Sequence, residues 1–515
     1  MTAKHNNDAR PAIAKGIGSV FLAKTGSIIE LIAQPAYTWM FGLASYGLYA
    51  VLWSLVNVIE KITDLAMTNA LQRVLPYESD INVRAGIIKG ALVLGVIPPV
   101  IVAAILSLAA PVIAPLFNVA DKDQAHLVLA ISIFVWSIPL WAMVEIITSM
   151  LRACKAFGPE IRLRIFWEQV MRLVLAVIFW WMGLDILALL LAHLISLLLT
   201  VVLSFRVLNR YVSLGLVWRT RLSRPLLHNL LLSGISVLPS NILGRIFSDV
   251  PVLFLNVFLP GVAGANAAGL YSIARKLASI PQMVGTVFSH VISPVAASGE
   301  NRKLATLQTL YTFSLRISLL LAVPTVMLLI LSVDTLLGLF VTGAVSAWPM
   351  VVILTCARGF EAMLGPATAI QQVFSNRLIP VLNTVIGLVV ASIVILMAFP
   401  EYGATGLALG VASGQVIMAM LSVWQLSRMD NLYYFDAKFI QVVGAALTSC
   451  LVMFVTARLT ASVPALLQGI ILMTVYLMVL WSGLRFALPA HDRQALGKLG
   501  RGLRLSSRDE LQISN

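Results

Sequence analysis

Charged side chains are scarce. Asp, Glu, Lys and Arg make up 11% of the 515 residues, against about 25% in ordinary soluble domains. With 59% apolar residues and a mean hydropathy of +0.93, that deficit excludes a soluble globular domain. Cysteine is nearly absent. Cys154, Cys356 and Cys450 stand alone in or beside apolar runs, which excludes a disulfide framework and gives no metal spacing. Acidic residues also run short, 22 against 36 basic ones, for a net charge of +14. The basic charge is spread over many short connections and the tail, where anionic lipid headgroups account for it, so no nucleic-acid partner is expected. A Gly-rich phosphate loop, a Ser-His-Asp set and room for a catalytic domain are all missing. Neither an enzyme nor a cofactor nor a metal site is expected.

What fills the chain instead is apolar runs of membrane-crossing length. About fourteen crossings of about 20 residues each fit the length: 14 to 40, 45 to 74, 85 to 116, 125 to 152, 161 to 182, 184 to 208, 229 to 259, 264 to 297, 304 to 333, 346 to 375, 378 to 399, 403 to 428, 438 to 459 and 463 to 487. The apolar stretch after the polar first ten residues is too long for a signal-peptide core, so the amino terminus is expected to be retained. With residues near the run ends counted with the adjoining connections, 26 of the 36 basic residues fall in the termini and alternate connections, 2 (Lys122 and Arg458) in the intervening connections and 8 well inside the runs. Cytoplasmic connections accumulate Lys and Arg, which places both termini in the cytoplasm.

The two halves echo each other. Gly47-Leu48-Tyr49-Ala50 opens the second run and Gly269-Leu270-Tyr271-Ser272 the eighth; Gly183 and Gly403, and Pro76 and Pro294, recur at nearly the same offset. A duplicated six-helix unit, in parallel repeat about an axis along the membrane normal, follows. The expected fold is therefore an all-α polytopic membrane protein: two six-helix lobes around a central cavity plus a C-terminal helix pair. The expected segments are 1–208 (first lobe), 209–228 (basic cytoplasmic linker), 229–430 (second lobe), 431–487 (final pair) and 488–515 (basic cytoplasmic tail). Leu496, Leu499, Leu503 and Leu505 among basic residues predict an interfacial helix in that tail. Pro98-Pro99, Pro139, Pro239, Pro324 and Pro366 predict kinks inside spans.

Charges inside spans point to function. Each costs about 2.5 to 3.5 kcal/mol at the centre of a lipid-facing helix, so Lys24, Lys61, Arg172, Arg245, Arg275, Lys276, Arg316 and Arg358 should face a cavity or a partner. Asn57, Lys61, Asp64, Thr68 and Gln72 form one helical stripe, and Ser272, Lys276, Ser279, Gln282, Thr286 and Ser289 another, with Arg275 adjacent. Lys24, Ser27, Gln34 and Thr38 form a third, beside Glu30, and Asn241, Arg245, Ser248 and Asp249 a fourth. Pairing within one helix is the plainer reading for Glu168 with Arg164 or Arg172 and for Arg245 with Asp249, and a structural pair between packed helices is that for Arg358 with Glu361. His193 and His290 read as hydrogen-bonded core histidines.

The stretches Gly47 to Pro76 and Gly269 to Pro294 resemble the second and eighth helices of Wzx-type oligosaccharide-lipid flippases, polysaccharide exporters of the multidrug/oligosaccharidyl-lipid/polysaccharide (MOP) superfamily. The resemblance implies a flippase moving an undecaprenyl-diphosphate-linked oligosaccharide from the cytoplasmic to the periplasmic leaflet of a bacterial inner membrane by alternating access. Lys276-Leu277 before Pro281 takes the place of a basic residue of the related lipid II flippases, and Lys24 that of basic residues in their first helix. A diphosphate needs cationic partners in the bilayer, which makes Lys24, Lys61, Arg245, Arg275, Lys276 and Arg358 the candidate contacts. Glu30, Asp64, Asp249 and Glu361 are the candidates for coupling to H+ or Na+. A polysaccharide polymerase and glycosyltransferases are the implied partners. The alternative is a MATE-like ion-coupled antiporter for drugs or metabolites, in which acidic residues would dominate the cavity.

Overall fold

The computed structural model describes residues 29, 32–154, 161–297, 304–375, 378–433, 437–496, 500, 503 and 505. Among the described residues the regular structure is entirely helical. In chain order the helices are α1 (Leu43–Thr63), α2 (Met67–Val74), α3 (Ile81–Leu108), α4 (Leu127–Phe134), α5 (Ser137–Ala153), α6 (Glu168–Trp181), α7 (Asp185–Leu208), α8 (Leu214–Arg219) and α9 (Arg224–Ile235). They continue as α10 (Leu238–Phe258), α11 (Gly261–Ala297), α12 (Leu304–Leu331), α13 (Trp348–Phe374), α14 (Leu378–Tyr402), α15 (Ala404–Met429), α16 (Ala437–Leu459), α17 (Ala465–Ser482) and α18 (Ala490–Ala495). Shorter turns join some of them.

Among the described residues, eleven helical segments are long and apolar enough to cross a membrane: α1, α3, the run α4–α5, α7, α10 and α12 to α17. Of the other three expected spans, 14–40 lies mainly outside the described residues. The span expected at 161–182 is a π-helical stretch, Ile161–Trp167, continuing into α6, and that at 264–297 falls within the 37-residue α11.

Helix ends follow local chemistry. The Asp80 side chain accepts from the Asn82 N–H at 2.8 Å to cap α3. Gly183 and Gly403, at φ 76° and 53°, make the left-handed turns before α7 and α15, where the sequence repeat places them. Pro98, Pro99, Pro324 and Pro366 lie inside helices, but Pro139 and Pro239 occupy the first turns of α5 and α10, where a missing N–H costs nothing.

Packing divides the chain between Ser272 and Ile273, inside α11. In the unit ending at Ser272, Met67, Leu71, Ile88, Ile146, Ile147 and Met150 form a fully buried core. Gly47 and Gly269, the paired motif glycines, meet there: a Cβ on Gly47 would lie 1.9 Å from the Ala265 carbonyl oxygen, and one on Gly269 2.8 Å from that of Leu43. Small residues let the two backbones touch.

In the unit from Ile273, Tyr311, Leu315, Ile370 and Leu426 form the core together with Leu488, Leu496 and Leu505. The tail thus departs from the interfacial helix expected of it. Asp492 in α18 pairs with Arg316 of α12 at 2.6 Å, and Leu496 and Leu505 are buried in protein; Leu503 is exposed, and Leu499 lies outside the described residues.

Candidate functional site

The expected single helix over 45–74 is broken. Leu65 and Ala66 adopt left-handed backbone conformations, φ 51° and 54°, between α1 and α2. Such conformations cost about 1 kcal/mol or more each for residues other than glycine and persist only where their surroundings hold them. Here the Asp64 Oδ1 accepts from the Ala66 N–H at 2.8 Å, and the Asp64 carbonyl from the Met67 N–H at 3.0 Å. Gly234 of α9 lies against the Leu65 carbonyl, with no space for a Cβ (2.3 Å). A second break, at Ser236 and Val237, divides the expected span 229–259 into α9 and α10. Interrupted helices at membrane depth are tolerated where the freed backbone is buried in protein or lines a cavity.

A cavity of about 400 Å³ lies beside the first break, lined from α1, α2, α5 and α10. Two hydrogen bonds set the register of the opposed helices: Asn241 Nδ2 donates to Asn69 Oδ1 at 3.0 Å, and Arg73 to Ser236 Oγ at 3.2 Å. The walls consequently have two tiers. At the last turn of α1 stands Lys61, with Arg245 and Ser248 of α10 and Glu145 of α5. Along α2 stand Asn69 and Gln72, with Ser240 and Asn241 of α10 and Arg152 of α5. Gln72 Nε2 donates to Ser149 Oγ at 3.1 Å, which in turn donates to the Thr68 carbonyl at 2.7 Å, tying α2 to α5.

The charges are backed by partners of opposite sign. Lys61 Nζ is 3.1 Å from Glu60 Oε1 and 3.6 Å from Asp64 Oδ2, and both carboxylates are fully buried. Arg245 pairs with buried Asp249 at 3.3 Å, one helical turn away. The cavity-facing charges are therefore Lys61, Arg152, Arg245 and Glu145, while Glu60, Asp64 and Asp249 sit behind them as partners. Low dielectric makes these pairs costly to break from one side only.

The other candidates lie elsewhere. Lys24 and Glu30 fall outside the described residues. Arg275 and Lys276 are half-buried on α11, just past the division between the units, and the Lys276 carbonyl accepts from Ser279 Oγ at 2.6 Å. Arg358 pairs with Glu361 at 2.9 Å on α13, and Gln282 Nε2 lies 3.5 Å from Glu361 Oε1. Glu145, Arg152 and Asn69 had no assigned role. Glu145, Ser149 and Arg152 recur at intervals of four and three on α5, a stripe of the kind that marked the other helices.

A second buried polar group is structural. Arg172 pairs with Glu168 and donates to Tyr49 Oη at 3.1 Å, the same oxygen that lies 3.1 Å from His193 Nδ1. Trp53 covers the imidazole, its ring centroid 4.2 Å away. His193 is a core histidine in a hydrogen-bonded network; the His290 side chain lies outside the described residues.

Residues 13–300 match the family described as polysaccharide biosynthesis protein. No curated protein sequence matches the chain significantly. Among solved structures it is similar to a lipid II flippase MurJ in an inward closed conformation (TM-score 0.68, 15% identity, 90% of this chain and 98% of that one). It is also similar to an inward-facing multidrug resistance MATE family transporter of the MOP superfamily (0.61, 16%, 83% and 99%). A Vibrio cholerae MATE transporter gives 0.61, 14%, 83% and 100%. The fold is that of these transporters.

Proposed function

The chain belongs to the polysaccharide biosynthesis protein family, and from that premise we propose that it is a flippase for an undecaprenyl-diphosphate-linked oligosaccharide. It would work in a bacterial inner membrane, with both termini cytoplasmic, and serve cell-surface polysaccharide assembly beside glycosyltransferases and a polymerase. The observation that carries this reading is the cavity beside the helix break, where three of the four charges facing the interior are cations: Lys61, Arg152 and Arg245. A diphosphate offers the matching charge-assisted acceptors. Cationic side chains already held by buried carboxylates bind it without binding so tightly that release stalls, since a new anion competes with an existing partner. Lys24, Arg275, Lys276 and Arg358 are proposed as further contacts along the path, and Glu30, Asp64, Asp249 and Glu361 as candidates for coupling to H+ or Na+.

The test is transport of undecaprenyl-diphosphate-linked sugar across reconstituted vesicles, together with surface polysaccharide output in cells. Loss of both in Lys276→Ala at normal membrane levels, with partial retention in Lys276→Arg, supports the reading. Transport of small cationic drugs in exchange for protons, with lipid-linked sugar left unmoved, would favour a MATE-like antiporter instead. One observation keeps that second reading in play: around the cavity the carboxylates Glu60, Asp64, Glu145 and Asp249 outnumber the cations Lys61, Arg152 and Arg245.

A further inference from the structure

The two tiers of the cavity differ in chemistry, and Gly244 opens the space between them. A Cβ built on Gly244 meets nothing within 4 Å, although the residue lies on a cavity wall between Asn241 and Arg245. The tier of Asn69, Gln72 and Asn241 presents uncharged amides, each able to donate and accept, fixed in place by the Asn241–Asn69 and Gln72–Ser149 hydrogen bonds. Away from Arg152, such a surface gains nothing from an anion that it does not gain from water. It matches a ligand whose hydroxyls also donate and accept in pairs, and it discriminates between stereoisomers because a misplaced hydroxyl leaves an amide unpaired.

Resting on the proposed flippase reading, we infer that the amide tier is a sugar-recognition compartment separate from the charged tier, with Asn69 and Asn241 as its specificity-determining pair and Gly244 as the gap that admits the ring. The charged tier takes the diphosphate common to every lipid-linked sugar. The amide tier takes the first sugar attached to it, and so sets which lipid-linked saccharide the protein accepts. Arg152 is the charge on that tier, which makes a sugar acid one of the candidates.

The experiment uses the purified full-length protein and measures binding of undecaprenyl diphosphate alone and of the same lipid bearing a single glucose, galactose, N-acetylglucosamine or glucuronic acid. At least one conjugate is expected to bind the wild type about tenfold tighter than the bare lipid, as two neutral hydrogen bonds would give. That excess should vanish in Asn69→Ala/Asn241→Ala and, by a different route, in Gly244→Leu, whose Cβ meets no atom within 4 Å and whose branches occupy the gap. Bare-lipid binding should stay within about twofold in both, and fall in Glu60→Gln/Lys61→Met/Asp64→Asn, which removes the lysine together with its two buried carboxylate partners. Two variants with unrelated effects on packing guard against misfolding, and both should melt near the wild type. Equal binding of all lipids by the wild type, or a sugar preference that survives both variants, would overturn the compartment while leaving the flippase reading standing. Failure of the wild type to bind any of these lipids would sink that reading and the inference with it.

Discussion

Asn118 and Asn256 hold each other reciprocally. The Asn118 N–H donates to Asn256 Oδ1 at 3.1 Å, Asn118 Nδ2 to the Asn256 carbonyl at 2.7 Å, and Asn256 Nδ2 to the Asn118 carbonyl at 2.6 Å. Asn118 Oδ1 also accepts from the Gly261 N–H at 2.9 Å, so the connection after α3 is stapled to both sides of the turn between α10 and α11. Asn256 is fully buried, and each bond contributes about 1 kcal/mol.

That staple sits on the side where the sequence puts the outer connections, so breaking it should ease separation of the outer ends of α1 and α11. Asn256→Ala removes two of the three reciprocal bonds and leaves the Asn118 carbonyl without its amide donor. In a cysteine-free background, a thiol placed by Ala265→Cys, beside Gly47, should then react several-fold faster with a membrane-impermeant reagent. Unchanged labelling would mean that the staple only shapes the loop.

The glycine contact gives a paired prediction. In Gly47→Val the new Cβ meets backbone at 1.9 Å and the helices must move apart, which costs about 1–3 kcal/mol as overpacking and lowers the melting temperature. Gly244→Val, with open space at its Cβ, should leave melting nearly unchanged. Similar losses in the two variants would show that helix propensity, not the backbone contact, governs both.

Such contrasts mark what could be read from residue order. Ion pairs within one helix, Arg172 with Glu168 and Arg245 with Asp249, were visible because four residues make one turn. Gly183 and Gly403 were visible as breaks because left-handed backbone favours glycine. The break at Leu65 and Ala66 was not, since nothing in Asp64-Leu65-Ala66 opposes a helix; tertiary contact with Gly234 and the Asp64 side chain stabilises it. Asn69, one residue off the stripe, lines the cavity beside the stripe residues Thr68 and Gln72. Arg316 found its partner 176 residues away, beyond the reach of any periodicity.

That long-range pair should matter for stability. Asp492→Ala leaves the buried Arg316 guanidinium without its carboxylate, a loss of about 3–5 kcal/mol, whereas Arg316→Met/Asp492→Leu should recover most of it. Thermal melting of the purified protein, with limited proteolysis of the tail, distinguishes the two. A single variant that melts like the wild type, tail still protected, would show that the leucines alone hold α18.

Lys61 poses the same problem at the cavity, and it complicates the obvious test of transport. Glu60 and Asp64 are both fully buried within 4 Å of its ammonium, so Lys61→Ala strands two carboxylates at once. The single variant should be strongly destabilised, by about 3–5 kcal/mol, and its loss of transport would say little about the substrate. Glu60→Gln/Lys61→Met/Asp64→Asn removes all three charges together, and Asn at 64 keeps an oxygen to accept from the Ala66 N–H. That triple variant should melt near the wild type and reach normal membrane levels, yet fail to support polysaccharide output, because the charged tier has lost its lysine. Near-normal output from the well-folded triple variant would show that Lys61 only neutralises its neighbours, leaving Arg245 as the charged tier's diphosphate contact.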